Sequence, residues 1–259
     1  MAKDSLSLWP REHGAYAQLA VALACGMALG HGSRGIAQAV LAAGLFLASE
    51  PVLVILGRRG EAARDSTQVR AALRLLLVGS LIILAAVGAW GGAPAAQLAS
   101  MLPPALLGAA LFGLFLLKRE RTAAGELVAA WAFSFTAGSV VALGGGGAHR
   151  ATWLALLLGG LFTLATAIVH CHLIALRKGG AAGPRAWAFV LGLALTVGAG
   201  FLARHGRLPR SAVGVFLPMT LAALWVLATP PLPRQLKRVG WAATACALAG
   251  GALAVFGLW

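Results

Sequence analysis

The chain has 259 residues, of which 60% are hydrophobic and only 11% are charged, and its mean hydropathy is +0.86. A soluble domain covers its surface with roughly 25% charged residues, so this composition excludes a soluble globular protein and predicts a multi-pass membrane protein. The net charge of +14 does not indicate nucleic-acid binding. The basic residues stand in short clusters between apolar runs, whereas a nucleic-acid surface needs them gathered on one solvated face.

Nine apolar runs approach the length of about 20 residues that a membrane-spanning helix needs. We therefore predict an all-α, polytopic transmembrane bundle of about nine helices. Residues 1–259 are expected to form a single transmembrane domain that begins with a short cytoplasmic segment, residues 1–12. The predicted spans are 16–30, 35–57, 71–90, 100–117, 124–143, 152–176, 186–203, 212–229 and 239–258.

The basic residues predict the orientation of these spans. With the N-terminus in the cytoplasm, the outer connections hold only five of the 21 basic residues, namely Arg34, Arg150, Arg204, Arg207 and Arg210. The positive-inside rule then favours an N-terminus inside and a C-terminus outside. The longest inner connection, 58–74, carries five arginines together with Glu61 and Asp65, which predicts a short amphipathic helix on the membrane surface.

The first span is preceded by the sequence "WPREHGAY" at residues 9–16. Pro10 suits a first helical position, Glu12 complements the positive end of the helix dipole, and Gly14 permits the close approach of another helix. Arg11 and His13 instead add positive charge at an end that is already positive. Together with free backbone N–H groups they indicate binding of an anion such as a phosphate or a diphosphate.

Glu50 and Pro51 stand together about seven residues before the inner end of the second span. A carboxylate at membrane depth costs several kcal/mol unless it is neutralised, paired or hydrated. Pro51 frees a backbone carbonyl one turn earlier, which suits the wall of a cavity. The alternative is a protonated glutamic acid that is hydrogen-bonded to a neighbouring helix.

Glu126 opens the fifth span, where a carboxylate complements the helix N-terminus. Glu126, Ala130, Ser134 and Ala137 recur at helical spacing and form one face of small or polar groups. This face predicts either an ordinary helix start or the border of a polar cleft.

The inner end of the sixth span reads "HCHLIALR" at residues 170–177. Two histidines two residues apart on a helix point in nearly opposite directions, so His170 and His172 are a weak signal for a metal site, and we assign no metal. Thr163, Thr166, His170 and Arg177 form one polar stripe. We expect His170 to face inward and His172 to face the membrane interface.

The predicted topology places all the candidate ionisable groups in the cytoplasmic half of the membrane. We therefore predict a cytoplasm-facing polar cavity between the helices. The candidate catalytic residues are Glu50, Glu126 and His170, and the candidate substrate-binding residues are Arg11, Glu12, His13 and Arg177.

Three stretches resemble the YwiC-like family of bacterial integral membrane proteins. "PREHGAY" at 10–16 matches the family's opening motif in full. "GELVAAWAFSFTAG" at 125–138 resembles a segment that usually begins Asn-Asp, and "HCHLIALRKGG" at 170–180 resembles one that usually carries Tyr-Val-Arg before a basic turn. The resemblance implies a multi-pass protein of the bacterial cytoplasmic (inner) membrane, and it brings no assigned reaction with it.

The nine helices and the polar inner face are also similar to the UbiA superfamily of intramembrane prenyltransferases. That family holds isoprenyl diphosphate through magnesium on two aspartate-rich motifs, and this chain has only two aspartates, Asp4 and Asp65. The resemblance therefore implies a related fold, while the missing aspartate-rich motifs argue against magnesium-dependent prenyl transfer.

Three functions fit the sequence. The first is an enzyme or binder for a lipid-linked anion of the isoprenyl phosphate type. The second is a proton-coupled small-molecule transporter, and the third is a non-catalytic membrane assembly subunit. Membrane lipids are expected partners and nucleic acid is not, while the cofactor and the oligomeric state stay open.

Overall fold

The computed structural model describes residue 8 and residues 13–58, 61–119 and 122–259, without the side chains of His13 and of residues 61–66. Ten α-helices and no β-strand occur within these ranges. The helices are α1 His13–Leu29, α2 Ser33–Ile55, α3 Glu61–Trp90, α4 Ala95–Leu98, α5 Leu102–Leu116, α6 Ala123–Leu143, α7 Ala148–Arg177, α8 Ala182–Arg204, α9 Leu217–Ala228 and α10 Leu236–Leu258.

Each predicted span contains one long helix. In the described part of the chain, eight helical segments are long and apolar enough to cross a membrane, and α1 contributes a shorter apolar helix, Gly14–Leu29. This confirms the all-α bundle and identifies the chain as a multi-pass membrane protein. The direction in which the bundle crosses the membrane stays a prediction.

The connection before α3 differs from the expectation. The amphipathic surface helix predicted over 58–74 is wrong as a separate element, because α3 runs without a break from Glu61 to Trp90. No glycine or proline interrupts the sequence between Glu61 and Val78. Helix formation is cooperative, so the amphipathic turns simply extend the membrane-spanning helix.

Two of the predicted spans begin with a 3₁₀ helix instead of an α-helix. Short 3₁₀ helices, Ala99–Met101 and Arg210–Val215, precede α5 and α9. Both α-helices carry a proline in their first turn. Proline lacks a backbone N–H and restricts the residue before it, so the α-helical hydrogen-bond ladder starts only there.

The core of the bundle is built around α7. The side chains of Leu154, Leu158, Leu161 and Phe162 are fully buried, and α7 packs against α1, α6, α8, α9 and α10. The ring of Trp131 on α6 lies in the space that a Cβ would need at Gly159 on α7. This contact explains a tryptophan in the middle of a span, away from the membrane interface that tryptophan prefers.

Glycines bring α1 and α6 into backbone contact. A Cβ at Gly30 would lie 2.5 Å from Cα of Val141, and a Cβ at Gly26 would lie 3.0 Å from the carbonyl of Ala137. Just beyond these helices, Gly32 N–H donates to the carbonyl of Gly144 at 3.1 Å. The small-residue face of α1 therefore packs within the chain, in the manner of small-xxx-small membrane contacts.

The close approach expected at Gly14 is wrong for the described residues. Nothing there lies within 4 Å of a Cβ built at Gly14. Helix α1 is instead in tight contact near its other end, at Gly26 and Gly30.

Helices α3 and α5 lie at the periphery. Helix α3 packs on α2 and α5 packs on α6, and little of either helix is buried. Large apolar side chains on the outer face of α3, such as Leu76, Leu77 and Leu84, are exposed. Such a continuous apolar surface is stable in contact with lipid tails and not with water.

Candidate functional site

The two ends of the bundle differ in chemistry. We define the polar end of the bundle as the one where α1, α3, α6 and α8 start and where α2 and α7 finish. The opposite end, where Gly30, Gly32 and Gly144 meet, is called the glycine end. The polar end is the one that the basic residues predict to be cytoplasmic. The described candidate residues Glu50, Glu126, His170 and Arg177 lie at this end.

Glu126 and His170 form a direct pair between α6 and α7. Helix α6 starts at this point because Thr122 caps it, with its hydroxyl oxygen accepting a hydrogen bond from Gly125 N–H at 3.2 Å. Oε2 of Glu126, in the first turn, lies 2.8 Å from Nε2 of His170. The two side chains are 44% and 24% exposed, respectively, so the pair is open to solvent or to a ligand.

Glu50 is buried, with only 1% of its surface exposed. Helix α2 continues through Pro51 to Ile55, and the Ser49 hydroxyl donates to the carbonyl of Phe46 at 2.6 Å. Since the helix is continuous and both Glu50 and Pro51 are buried, the expectation of an open cavity wall here is wrong. The burial of Glu50 agrees with the alternative, a glutamic acid packed against a neighbouring helix. Its protonation and its hydrogen bond stay predictions.

Glu50 belongs to a polar cluster contributed by α1, α2 and α3. The hydroxyl of Tyr16 interacts electrostatically with both Arg74 and Glu50, and it is buried without a hydrogen-bond partner among the described residues. Thr67 is buried on the same end of α3. Sequence reasoning missed Arg74 as a site residue because its charge also satisfies the positive-inside rule. Its position among the leucines of α3 was the signal that it belongs to the packed part of the helix.

An aromatic row connects the two acidic positions. The rings of Tyr16 and Phe46 meet edge to face at 4.9 Å between centroids, and those of Phe46 and Phe133 do so at 6.0 Å. Phe46 lies one helical turn from Glu50 on α2, and Phe133 lies about two turns from Glu126 on α6. The three rings thus join α1, α2 and α6, and the last two of these helices carry Glu50 and Glu126.

His172 is not at the membrane interface, so that expectation is wrong. Its side chain is fully buried, because the first turn of α8 folds back over the end of α7. Nε of Arg185 donates to Nδ1 of His172 at 3.3 Å, and Nη1 of Arg185 donates to the carbonyl of Gly180 at 3.0 Å. His170 and His172 therefore have different partners, on α6 and on α8. Sequence reasoning missed Arg185 because it reads as one more basic residue in an inner loop.

The small-residue face of α6 is a packing face. Ala130, Ser134 and Ala137 are completely buried, and the Ser134 hydroxyl donates to the carbonyl of Ala130 at 2.7 Å. The interpretation of this face as the border of a polar cleft is therefore wrong beyond Glu126. Small side chains here serve the close contact of α6 with its neighbours.

The remaining candidates occupy the surface or lie outside the described residues. Arg177 is exposed at the end of α7. Arg11 and Glu12 lie outside the described residues, as do the side chain of His13 and the predicted helix start at Pro10. The anion site predicted for the opening motif therefore stays a prediction.

Two cavities lie on the described surface. One, of about 470 Å³, follows α3 near Arg74 and is lined by Gln68, Val69, Ala72, Leu73 and Leu76. The other, of about 490 Å³, lies at the glycine end and is lined by Ala148, His149, Thr152, Trp153, Gly206 and Arg207. The first is mostly apolar and lies on the same helix as part of the polar cluster.

Comparison with known proteins adds one finding. The family described as YwiC-like protein matches residues 9–143, slightly more than half of the chain. This range contains the opening motif and the stretch at 125–138, and it ends at the last residue of α6. No curated protein and no solved structure matches the chain. The chain therefore belongs to the YwiC-like family.

Proposed function

We propose that this protein binds a lipid-linked anionic substrate of the isoprenyl phosphate type at the polar end and acts on it by acid–base chemistry. The observation that carries the proposal is the Glu126–His170 pair, with 2.8 Å between Oε2 and Nε2 and both side chains partly exposed. A carboxyl group in contact with an imidazole can hold the ring in position for proton transfer. The proposed setting is the cytoplasmic membrane of a bacterium, with the polar end facing the cytoplasm.

The pair has the parts of a general acid–base catalyst. The carboxyl group of Glu126 orients the imidazole through Nε2, which leaves Nδ1 of His170 for proton exchange with a substrate. Histidine is the side chain most often used for this purpose near neutral pH. We therefore assign proton transfer to His170 and its orientation to Glu126.

Other features of the polar end suit an amphiphilic substrate. The apolar hollow along α3, about 470 Å³ in volume, offers a surface for a hydrocarbon tail. Arg74 and the exposed Arg177 at the polar end supply guanidinium groups, which bind phosphate through paired hydrogen bonds. Arg11 and His13 in the opening motif are the further phosphate ligands that we propose.

A proton-coupled transporter is the second candidate. The observation in its favour is the buried side chain of Gln38, which lies in the other half of α2, about 18 Å along the helix from Glu50. There, Nε1 of Trp90 donates to Oε1 of Gln38 at 3.2 Å, and Nε2 of Gln38 lies 3.5 Å from the hydroxyl of Ser139. A transported solute needs polar groups in both halves of the membrane.

The decisive experiment compares two histidines on the same helix. His170→Gln removes the proposed base, and His149→Gln makes the same change on α7 at the glycine end. Both proteins are purified with native lipids and weighed by native mass spectrometry. We expect wild type and His149→Gln to retain an isoprenoid phosphate, and His170→Gln and Glu126→Gln to retain about tenfold less, since a hydrogen bond to a charged group contributes about 1.5–3 kcal/mol.

The other outcomes separate the alternatives. Equal lipid retention by all four proteins would sink the proposed substrate site. Solute flux into proteoliposomes that depends on Glu50 would favour the transporter. If Glu50→Gln, Glu126→Gln and His170→Gln each fully complement a deletion strain, the non-catalytic assembly subunit is the function that remains.

A further inference from the structure

Arg185 is a buried cation without a carboxylate partner in the described part of the chain. Only 4% of its surface is exposed, and its hydrogen bonds go to Nδ1 of His172 and to the carbonyl of Gly180, both uncharged acceptors. Of the acids whose side chains are described, Glu126 pairs with His170 and Glu50 belongs to the cluster around Tyr16 and Arg74. Among the described residues, the guanidinium group therefore has hydrogen-bond acceptors but no carboxylate that neutralises its charge.

An uncompensated buried charge is expensive. Removing a cation from water costs several kcal/mol even after local relaxation, and native proteins offset this cost with an opposite charge. A lysine or arginine near a membrane surface usually avoids the cost by extending its charged group to water. Arg185 does not do so, because its side chain turns inward to His172.

His172, which accepts from Arg185, has a buried ring nitrogen without a hydrogen-bond partner among the described residues. Since Nδ1 accepts from Arg185, the proton of the neutral imidazole is assigned to Nε2. Nε2 is buried and has no hydrogen-bond partner among the described residues. The backbone carbonyl of Pro231 interacts with this imidazole, but it does not meet hydrogen-bond geometry at Nε2.

The local backbone is also suited to an anion. Arg185 stands in the first turn of α8, whose start has no side-chain cap, so free N–H groups and the positive end of the helix dipole lie beside it. Gly179 and Gly180 precede the helix with φ of +67° and +90°, and nothing lies within 4 Å of a Cβ built on either glycine. A side chain would be strained at both positions, whereas glycine leaves the approach to the helix start open.

From these observations we infer a second anion site, specific for a phosphate group, formed by Arg185, Nε2–H of His172 and the N-terminus of α8. It is separate from the Glu126–His170 pair because His170 faces α6 and His172 faces α8. The phosphate comes either from the headgroup of an anionic lipid or from a free phosphate compound. The inference does not depend on the proposed function, since none of its residues belongs to that site.

The test uses the full-length protein in buffer free of phosphate and sulfate. Binding of inorganic phosphate and of diphosphate is measured by calorimetry in a neutral detergent. The lipid source is tested by unfolding temperature in nanodiscs of phosphatidylcholine with and without phosphatidylglycerol. The variants are Arg185→Gln and His172→Gln, with Arg204→Gln, an exposed arginine at the other end of α8, as the matched control.

We expect Arg185→Gln to weaken binding by at least about tenfold and His172→Gln to weaken it by a smaller factor, as the loss of one donor to a charged group predicts. The control variant Arg204→Gln should bind like wild type. If Arg185→Gln does not fold, Arg185→Lys provides the same test, because lysine keeps the charge but lacks the planar donor fork. Wild-type affinity in Arg185→Gln, or in its lysine substitute, would overturn the site.

Stability supplies an independent readout. Without an anion, Arg185→Met should unfold at the same temperature as wild type or higher, because an unneutralised buried charge is replaced by an apolar side chain. Added diphosphate or phosphatidylglycerol should raise the unfolding temperature of wild type only. If Arg185 only holds α7 and α8 together, Arg185→Met should be less stable than wild type under every condition, and anions should not change the unfolding temperature of wild type. That result would also overturn the inference.

Discussion

The glycine end and the polar end of the bundle are held together in different ways. At the glycine end, backbones touch at Gly30 and Gly144, and arginine side chains close the loops by donating to carbonyl oxygens, as Arg34 does to Gly92 at 2.9 Å. At the polar end, large ionisable side chains such as Glu50, His172 and Arg185 are buried between the helices. Close backbone contact favours rigidity and stability, whereas buried ionisable groups cost stability and are kept for binding or proton transfer.

The largest expected effect lies at the glycine end. Gly30→Ala would place a Cβ 2.5 Å from Cα of Val141 and 2.7 Å from the carbonyl of Val140, so the backbones of α1 and α6 must separate. We expect a loss of about 3 kcal/mol in the free energy of unfolding, measured by denaturation in detergent, with anion and lipid binding per folded molecule unchanged.

The control for this variant is Gly79→Ala on α3. Nothing lies within 4 Å of a Cβ at Gly79, so this change should be neutral or should stabilise the helix by up to about 1 kcal/mol. Equal losses in the two variants would contradict the assignment of stability to the α1–α6 contact.

The next effect tests the polar end. Glu50→Gln keeps the shape of a buried side chain and replaces the carboxyl group of the cluster that also contains Tyr16 and Arg74. We expect a loss of about 2 kcal/mol in unfolding free energy. In a double-mutant cycle with Arg74→Gln we expect a coupling of at least about 0.5 kcal/mol. Additive losses would show that Glu50 and Arg74 do not belong to one cluster.

The smallest effect concerns the polar contact between α2 and α3 near the glycine end. Trp90→Phe removes the hydrogen bond from Nε1 to Oε1 of Gln38, which should cost about 1 kcal/mol because Gln38 is buried. The matched control is Trp241→Phe on α10, since that indole is largely exposed and its loss should change the unfolding free energy little. A larger loss for Trp241→Phe would argue against an energetic role for the Gln38 contact.

The sequence predicted the positions of the helices better than the contacts between them. Apolar length alone located the eight long segments and the shorter α1, because each span must satisfy its own backbone hydrogen bonds in lipid. Predictions for single side chains depended on where each helix face points. Periodicity placed His170 toward the protein interior, where it meets Glu126. It placed His172 at the interface, and that was wrong because the start of α8 covers it.

By itself, the amino-acid sequence determined that the protein is a multi-pass helical membrane protein and, through "PREHGAY" and the segment after it, a member of the YwiC-like family. Both are local properties: hydropathy acts over one span and a motif over a few residues. Only the tertiary structure decided which helices touch. It paired Glu126 with His170 across 44 residues, joined Glu50 to the cluster around Tyr16 and Arg74, and buried Arg185 against His172. Contacts between helices depend on how complementary faces fit together, and no single segment carries that information.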